Sequence, residues 1–501
     1  MRATLLRNSV ANFGGAALPA LVTLITLPII VAQIGESEYG VLALIVAIVG
    51  YFAIIDINVA AGSIKYLAEY HAKGEKVKLD QVVSLGILIY LLIGILGGVS
   101  IFLAASWLVV EVFVIPPALH DTAVLALRIG GAGFFFGQLQ FYLQSIPQSL
   151  GRYDISARFE AIFGTVVPLL TVGVVLMGGG LVGIVLVRLM ASMINVAFLK
   201  HWFGRLLPEY RWVAPGSETV HKVLNFSGFA YLKNIAAVTY LQADKLIVGA
   251  FIGMQALAFY VVPFTLVNRV FGITYRLSAV MFPFSSSLAA KDEIDRLCRI
   301  YLVAVRYTIF LNGTIAVLLV VLAHMLLKLW MGESFAAHSS HILALLAVAS
   351  FLDSLTNLPT LINDGLGHPR VTGLFAILRA VVGIGSAYFL VSMLGILGAA
   401  ISQLLVSALM AIPLLVYVHG RTVPVPFVVY FKQGVAPALA CTFVPAIIGW
   451  YLVEVVEPNI FRTLVVIVFL LGCMSMLGYR YVLRQEDKNT VTSWLMVRLS
   501  S

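Results

Sequence analysis

GFAYLKNIAAVTYLQADKLIVGAFIGMQALAFYVVPFTLVNRVFGITYRLSAVMFP, residues 228–283, is long enough for two membrane helices joined by a short turn. It nevertheless carries Lys233, Asp244, Lys245, Arg269 and Arg276. A charge at mid-membrane depth costs at least ~2.5–3.5 kcal/mol on insertion scales, so such side chains face a protein interior or a watery cavity. Arg269 and Arg276 are seven residues apart and therefore share a helix face, roughly 10 Å apart along the axis. Two cations stacked on one face suit an anion that passes them.

The rest of the chain has the same character. Of 501 residues, 61% are hydrophobic and only 11% charged, against about 25% charged in a soluble domain. The composition implies an all-α polytopic membrane protein, and the long uninterrupted apolar runs exclude an outer-membrane barrel. Cys298, Cys441 and Cys473 form no CxxC pattern, so neither a disulfide framework nor a metal site is indicated. The basic start MRATLLRNSVANFGG leads into an apolar run, Val10 to Gln33. That run is too long for a signal h-region and reads as an uncleaved first span.

Apolar runs fall at about 10–33, 38–63, 82–106, 121–146, 157–178, 180–200, 224–248, 255–283, 301–327, 339–362, 370–391, 395–418, 432–454 and 460–481, fourteen candidate spans. Loops on the side of the N-terminus hold 22 Lys and Arg, from Arg2 and Arg7 to Lys488 and Arg498, against Lys328 and Arg462 on the other. The positive-inside rule then predicts both termini in the cytoplasm. It also accounts for the net charge of +9 without a nucleic-acid partner. The loops are short, the longest running from about Lys200 to Lys222. They leave no room for a catalytic or ATP-hydrolysing domain, and no G-x-x-x-x-G-K-[ST] phosphate loop occurs. The expectation is a protein that is not an enzyme and needs no cofactor.

Three pairs of segments repeat at nearly constant offset. IGESEYG (Ile34 to Gly40) resembles IGMQALAFY (Ile252 to Tyr260), SLGRYDISARF (Ser149 to Phe159) resembles GLGHPRVTGLF (Gly365 to Phe375), and GGLVGIVLVRLM (Gly179 to Met190) resembles LGILGAAISQLL (Leu394 to Leu405). The repeat predicts a six-helix half over 1–217 and a second, in the same orientation, over 218–420. Residues 421–501 add two helices and a tail after the break GRTVPVPF (Gly420 to Phe427). Parallel halves of this kind place a cleft near the midplane.

NSVANFGG at the first span, IGESEYG at the first turn, DKLIVGAFIG (Asp244 to Gly253) closing span 7, and G-x-P-R opening span 11 resemble the polysaccharide-export branch of the multidrug/oligosaccharidyl-lipid/polysaccharide (MOP) superfamily. The resemblance covers the whole chain, most clearly 5–75 and 220–290. It implies a flippase for a polyprenyl-pyrophosphate-linked oligosaccharide, such as an O-antigen or exopolysaccharide repeat unit, that works by alternating access. It also implies membrane lipids and polysaccharide polymerase machinery as company. A cation-coupled multidrug exporter of the same superfamily and a peptidoglycan-precursor flippase stay open. The latter branch carries arginines in spans 1 and 2, which are absent here. A membrane ligase or polymerase needs extended outer loops with catalytic Arg or His, which this chain lacks.

Eight of the 32 Lys and Arg fall within spans: Arg128, Arg188, Lys233, Lys245, Arg269, Arg276, Arg306 and Arg379. Arg306 and Lys245 lie close enough to span ends to snorkel. Arg269, Arg276, Lys233, Arg379, Arg128 and Arg188 are the candidates for binding a pyrophosphate, because the guanidinium fork pairs with phosphate oxygens. The alternative for each is a packing role beside a carboxylate or a helix carbonyl. Asp353 and Asp56 are candidates for ion coupling, because a carboxyl removed from water holds its proton more tightly. Three G-x-x-x-G patterns (Gly94 to Gly98, Gly133 to Gly137, Gly249 to Gly253) predict close helix contacts.

Overall fold

The computed structural model describes residues 2–455, 460–485 and 487–488, and only the backbone of 2–16, 226, 228–230, 232–233, 454–455 and 460–462. The described residues form helices joined by short connections, without strands. The chain begins with α1 (Arg2–Ile34), α2 (Glu36–Phe52), α3 (Val59–Lys73), α4 (Lys76–Trp107), α5 (His120–Ser149) and α6 (Tyr153–Leu176). It continues with α7 (Gly180–Leu206), α8 (Ser217–Phe251), α9 (Met254–Ser278), α10 (Met281–Ala289), α11 (Ile294–Val321) and α12 (Ala323–Met331). It ends with α13 (Glu333–Gly365), α14 (Pro369–Leu394), α15 (Ile396–Arg421), the single turn α16 (Phe427–Val429), α17 (Ala436–Val455) and α18 (Ile460–Leu477).

Thirteen described stretches are long and apolar enough to cross a membrane, and α8 adds a helix of 35 residues. The fold is therefore an all-α polytopic membrane protein of about fourteen spans. Its surface agrees with this. Leu103, Met177 and Val468 are 73%, 88% and 69% exposed, whereas Tyr90, Tyr142, Tyr260, Tyr301 and Tyr430 are fully buried. Apolar side chains outside and hydroxyls inside suit a lipid solvent, where every polar group must find a partner within the protein.

The repeated segments fold alike. Gly35 and Gly253, 218 residues apart, both take positive φ (83° and 118°), and each carbonyl accepts from the amide four residues on, Tyr39 and Leu257. Gly151 and Gly367 follow the same rule at φ 73° and 93°. Their amides bond to Gln148 and Asp364 carbonyls, and the next amides, of Arg152 and His368, bond to Pro147 and Asn363. Only glycine enters the left-handed region without a steric penalty, so the repeat is kept where backbone geometry demands it.

The second span departs from expectation. Residues 38–63 read as one apolar run, but the helix stops at Phe52, passes through a 3₁₀ turn at Ala53–Ile55, and restarts at Val59. Asn58 is left-handed (φ 56°). Asp56 and Asn58 are residue types that hydrogen-bond local backbone and favour turns and caps, which explains a break inside an apolar stretch.

The chain forms two compact units. The amino-side unit comprises Val10–Val262 and Ala376–Ala399; the carboxy-side unit is Pro263–Phe375, the described residues from Ala400 onward and the described residues up to Ser9. In the amino-side unit, α3, α4 and α5 enclose a core that includes Val59, Leu67, Val83, Tyr90, Tyr142 and Ile146. The Tyr90 and Tyr142 rings stack at 5.2 Å, and the Tyr142 hydroxyl donates to the Val83 carbonyl at 3.1 Å. Gly86 makes room for that ring, since a Cβ there would lie 2.0 Å from Tyr142 Cζ. Beside this core, Lys76 Nζ sits 2.6 Å from Glu209 and holds the Glu209 carboxyl below the usual carboxylate range.

The glycine patterns separate into different roles. Gly94 and Gly98 do close a helix pair, with Gly98 facing the Gly131 carbonyl of α5. Gly133 and Gly137 have nothing within 4 Å of a Cβ, and Gly253 belongs to a turn. Gly86→Ala is therefore expected to destabilise the protein by roughly 1–3 kcal/mol through overpacking. Gly137→Ala should leave stability unchanged or raise it by up to about 1 kcal/mol, because it only removes backbone freedom. Thermal unfolding of the purified protein in detergent distinguishes the two; equal losses would contradict this packing.

In the carboxy-side unit, the helices after the break are fastened by an aromatic clamp. His419 Nδ1 lies 2.8 Å from the Val425 carbonyl and Nε2 lies 3.1 Å from the Tyr301 hydroxyl. The His419 ring packs on Tyr430 at 4.3 Å, and the Tyr430 hydroxyl donates to the Leu355 carbonyl at 2.9 Å. Beyond it, α17 packs on α11 and pairs with α18.

Candidate functional site: the intramembrane charges

Each candidate cation has a different setting. On α9, Asn268, Arg269, Tyr275 and Arg276 lie on one exposed side, whereas Val267, Phe271, Thr274 and Ser278 are buried. The seven-residue spacing thus does place Arg269 and Arg276 on a common, exposed face. Lys233 lies on α8 outside the residues whose side chains are described.

Arg379, on the part of α14 that belongs to the amino-side unit, is half-buried. Its guanidinium lies 4.2 Å from the Tyr240 ring centroid, and Nη2 donates to the Tyr240 hydroxyl at 2.6 Å. Stacking on an aromatic face is worth about 0.5–2 kcal/mol and compensates part of the desolvation of the charge. Tyr240→Phe keeps the ring and loses only the hydroxyl. Its expected cost is roughly 0.5–1.5 kcal/mol, whereas Tyr240→Ala removes the platform and should cost more. Unfolding temperatures of the two variants check this order, and equal losses would show that the ring contributes nothing.

Arg188 is exposed at the edge of a 320 Å³ pocket between α2, α5 and α7, with Gly50, Gly133 and Ser192 in its lining. Arg128 lines a different groove, of 670 Å³, over the α4/α5 seam. Each unit holds its own candidates among the described side chains. Within the amino-side unit Arg379 is set apart, while the Arg188 pocket and the Arg128 groove adjoin through Ile129 and Leu189; the α9 pair belongs to the carboxy-side unit.

The two cations expected to snorkel are held otherwise. Arg306 donates Nε and Nη2 to the Gln433 carbonyl, at 2.8 and 2.5 Å, in the π-helical turn Tyr430–Val435. A π-turn shifts backbone bonding, and a carbonyl there is open to a side-chain donor. Lys245 is buried at 8% exposure, donates to the Leu241 carbonyl and lies 3.7 Å from Asp244. Asp244 also accepts from the Tyr260 hydroxyl.

Asp56 is 6% exposed. Its Oδ1 accepts from the Tyr90 hydroxyl and from the Asn58 amide, both at 2.8 Å. The Tyr90 oxygen in turn accepts from the Ala60 amide at 3.2 Å. Asp56 and Tyr90 thus satisfy amides at the start of α3 that have no helical acceptor. Asn234 Nδ2 reaches the Asp56 carbonyl at 3.5 Å. Asp353 is half-buried on α13, and its backbone carbonyl accepts from Thr356. The tyrosine partners Tyr90, Tyr240 and Tyr260 were not foreseeable, because they are 34, 139 and 16 residues from the charges they serve.

The amino-acid sequence and this architecture match known proteins. A family model described as "Polysaccharide biosynthesis protein" matches residues 21–340. A Shigella flexneri protein named "Putative O-antigen transporter" is 22% identical over 407 residues, covering 80% of this chain and 94% of that protein. The solved structure of the lipid II flippase MurJ in an inward closed conformation has a TM-score of 0.73 at 15% identity, covering 95% of this chain and 99% of that one. An inward-facing multidrug resistance MATE family transporter of the MOP superfamily gives 0.68 at 16% identity, covering 85% and 99%. At these identities the structural likeness is one of fold, and the family match carries the assignment. The chain belongs to the polysaccharide biosynthesis protein family.

Proposed function

We propose that this chain is a flippase that moves a polyprenyl-pyrophosphate-linked oligosaccharide from the cytoplasmic to the outer leaflet of an inner membrane. Transport proceeds by alternating access through a cationic central cavity between two six-helix halves, residues 1–217 and 218–420. The observation that carries the reading is the exposed α9 face with Arg269 and Arg276 on it. A pyrophosphate has two or more negative charges, and paired guanidinium contacts let it leave water. Lys233, Arg379, Arg188 and Arg128 are the further candidates for contact with the headgroup on the way. The lipid tail stays in the bilayer while the sugar passes with the headgroup. Both termini lie in the cytoplasm, where the basic loops are held, and the delivered unit passes to polymerase machinery.

The multidrug-exporter reading needs carboxylates available to an organic cation. Asp56 already accepts from Tyr90 and Asn58, and Asp244 from Tyr260, which favours the anionic cargo. Asp353 is the carboxylate proposed for ion coupling. Deleting the protein from its host and extracting the lipids tests the reading. Lipid-linked glycan should accumulate and surface polymer should fall. Unchanged glycan with increased sensitivity to cationic dyes would assign the protein to drug export instead.

A further inference from the structure

The groove over the α4/α5 seam has a composition of its own. Its floor is made where Gly98 and Gly131 bring the two helix backbones together. Its rim is apolar and open, with Val99 and Leu125 each 50% exposed. Between Gly94 and Phe102 it follows α4 for about 12 Å, and from Leu125 to Phe136 it follows α5 for about 16 Å. That is half of a hydrocarbon core about 30 Å thick, the depth of one leaflet.

One end carries charge. The Arg128 guanidinium lies 5.1 Å from the Phe102 ring centroid, and its Nη2 reaches Ser106 Oγ at 3.3 Å. Arg128 Nε is buried without a hydrogen-bond partner. No acidic side chain lines the groove. Ser106 lies six residues, about 9 Å, before the end of the helical span, which continues through a π-turn to Val112, so the cation is drawn toward the nearer membrane surface while the trough runs inward. An apolar channel of one-leaflet depth with a guanidinium and a hydroxyl at its surface end matches a lipid with an anionic head.

We propose that this groove binds a glycerophospholipid of the adjacent leaflet, one acyl chain in the trough and its phosphodiester between Arg128 and Ser106. One guanidinium faces one phosphodiester charge, which separates this ligand from a pyrophosphate-linked cargo. The bound lipid fills a slot that the glycine contact leaves open and meets the Nη edge of the Arg128 guanidinium beside Ser106. This assigns Arg128 the holding of a structural lipid beside the Arg188 pocket, with which its groove shares Ile129 and Leu189.

Native mass spectrometry of the full chain in detergent, with phosphatidylglycerol or diacylglycerol of the same chains added, tests the site. One phosphatidylglycerol should be retained and diacylglycerol should not. Arg128→Gln should weaken retention by roughly tenfold, the effect of one lost charge-assisted hydrogen bond. Val99→Trp, which fills the trough and leaves Arg128 in place, should weaken it similarly, so the site is tested even if one variant folds poorly. Retention by both variants equal to the unaltered protein overturns the proposal. So does displacement of phosphatidylglycerol by an equal concentration of a polyprenyl phosphate, which would make the groove part of the cargo route.

Discussion

Arg269→Ala abolishes surface polysaccharide while the protein still inserts in the membrane at normal levels: this is the result expected if α9 grips the headgroup. The side chain is exposed on α9, so truncating it opens no cavity in the core and the fold tolerates the change. Loss of a charge-assisted hydrogen bond costs about 1.5–3 kcal/mol, or roughly ten- to a hundredfold in binding. Arg269→Lys keeps the charge but not the planar fork and should retain partial activity. Polymer length and amount on the cell surface, normalised to membrane-inserted protein, give the measurement. Normal polymer from a well-expressed Arg269→Ala variant would remove this residue from the mechanism.

Asp56 separates structure from coupling. Asp56→Ala leaves the Tyr90 hydroxyl and the Asn58 amide without their acceptor inside the protein. Each buried donor left unpaired costs roughly 1–3 kcal/mol, so the variant should unfold at a clearly lower temperature and accumulate poorly. Asp56→Asn keeps an oxygen in the place of Oδ1 and can accept both bonds, but it cannot take up or release a proton. If Asp56 only holds the helix break, the Asn variant transports nearly as well as the unaltered protein. If Asp56 couples an ion, the Asn variant folds normally and fails to transport. Here the bonding pattern favours the first outcome, and a folded but inactive Asp56→Asn protein would overturn it.

The amino-acid sequence disclosed the fold where backbone needs dominate. The turns at Gly35, Gly151, Gly253 and Gly367 require positive φ, and glycine at matched offsets is a direct trace of that requirement. The helical spans were equally legible, because lipid leaves no alternative to long apolar helices. The break at Asp56–Asn58 was not, although two Asx residues in an apolar run were its signal. Averaged hydropathy hides a turn only a few residues long. The settings of the charges were legible only in part. Seven-residue spacing placed Arg269 and Arg276 on one face, since helix periodicity suffices for that. Nothing local marks Tyr240 as the platform for Arg379 or the Gln433 carbonyl as the acceptor for Arg306, because those contacts depend on which helices become neighbours. Lys245, near a span end, suited snorkelling, but Asp244 and Tyr260 make a buried polar cluster that retains it.

Reconstitution of the full chain in vesicles that contain a polyprenyl-pyrophosphate-linked oligosaccharide offers the most direct test. The sugar is labelled on one leaflet, and its appearance on the other is followed with a membrane-impermeant oxidant, under a proton or a sodium gradient. Transfer should be far faster than in protein-free vesicles, and Arg269→Ala should return it to the protein-free rate. Transfer no faster than in protein-free vesicles under either gradient would contradict the flippase reading.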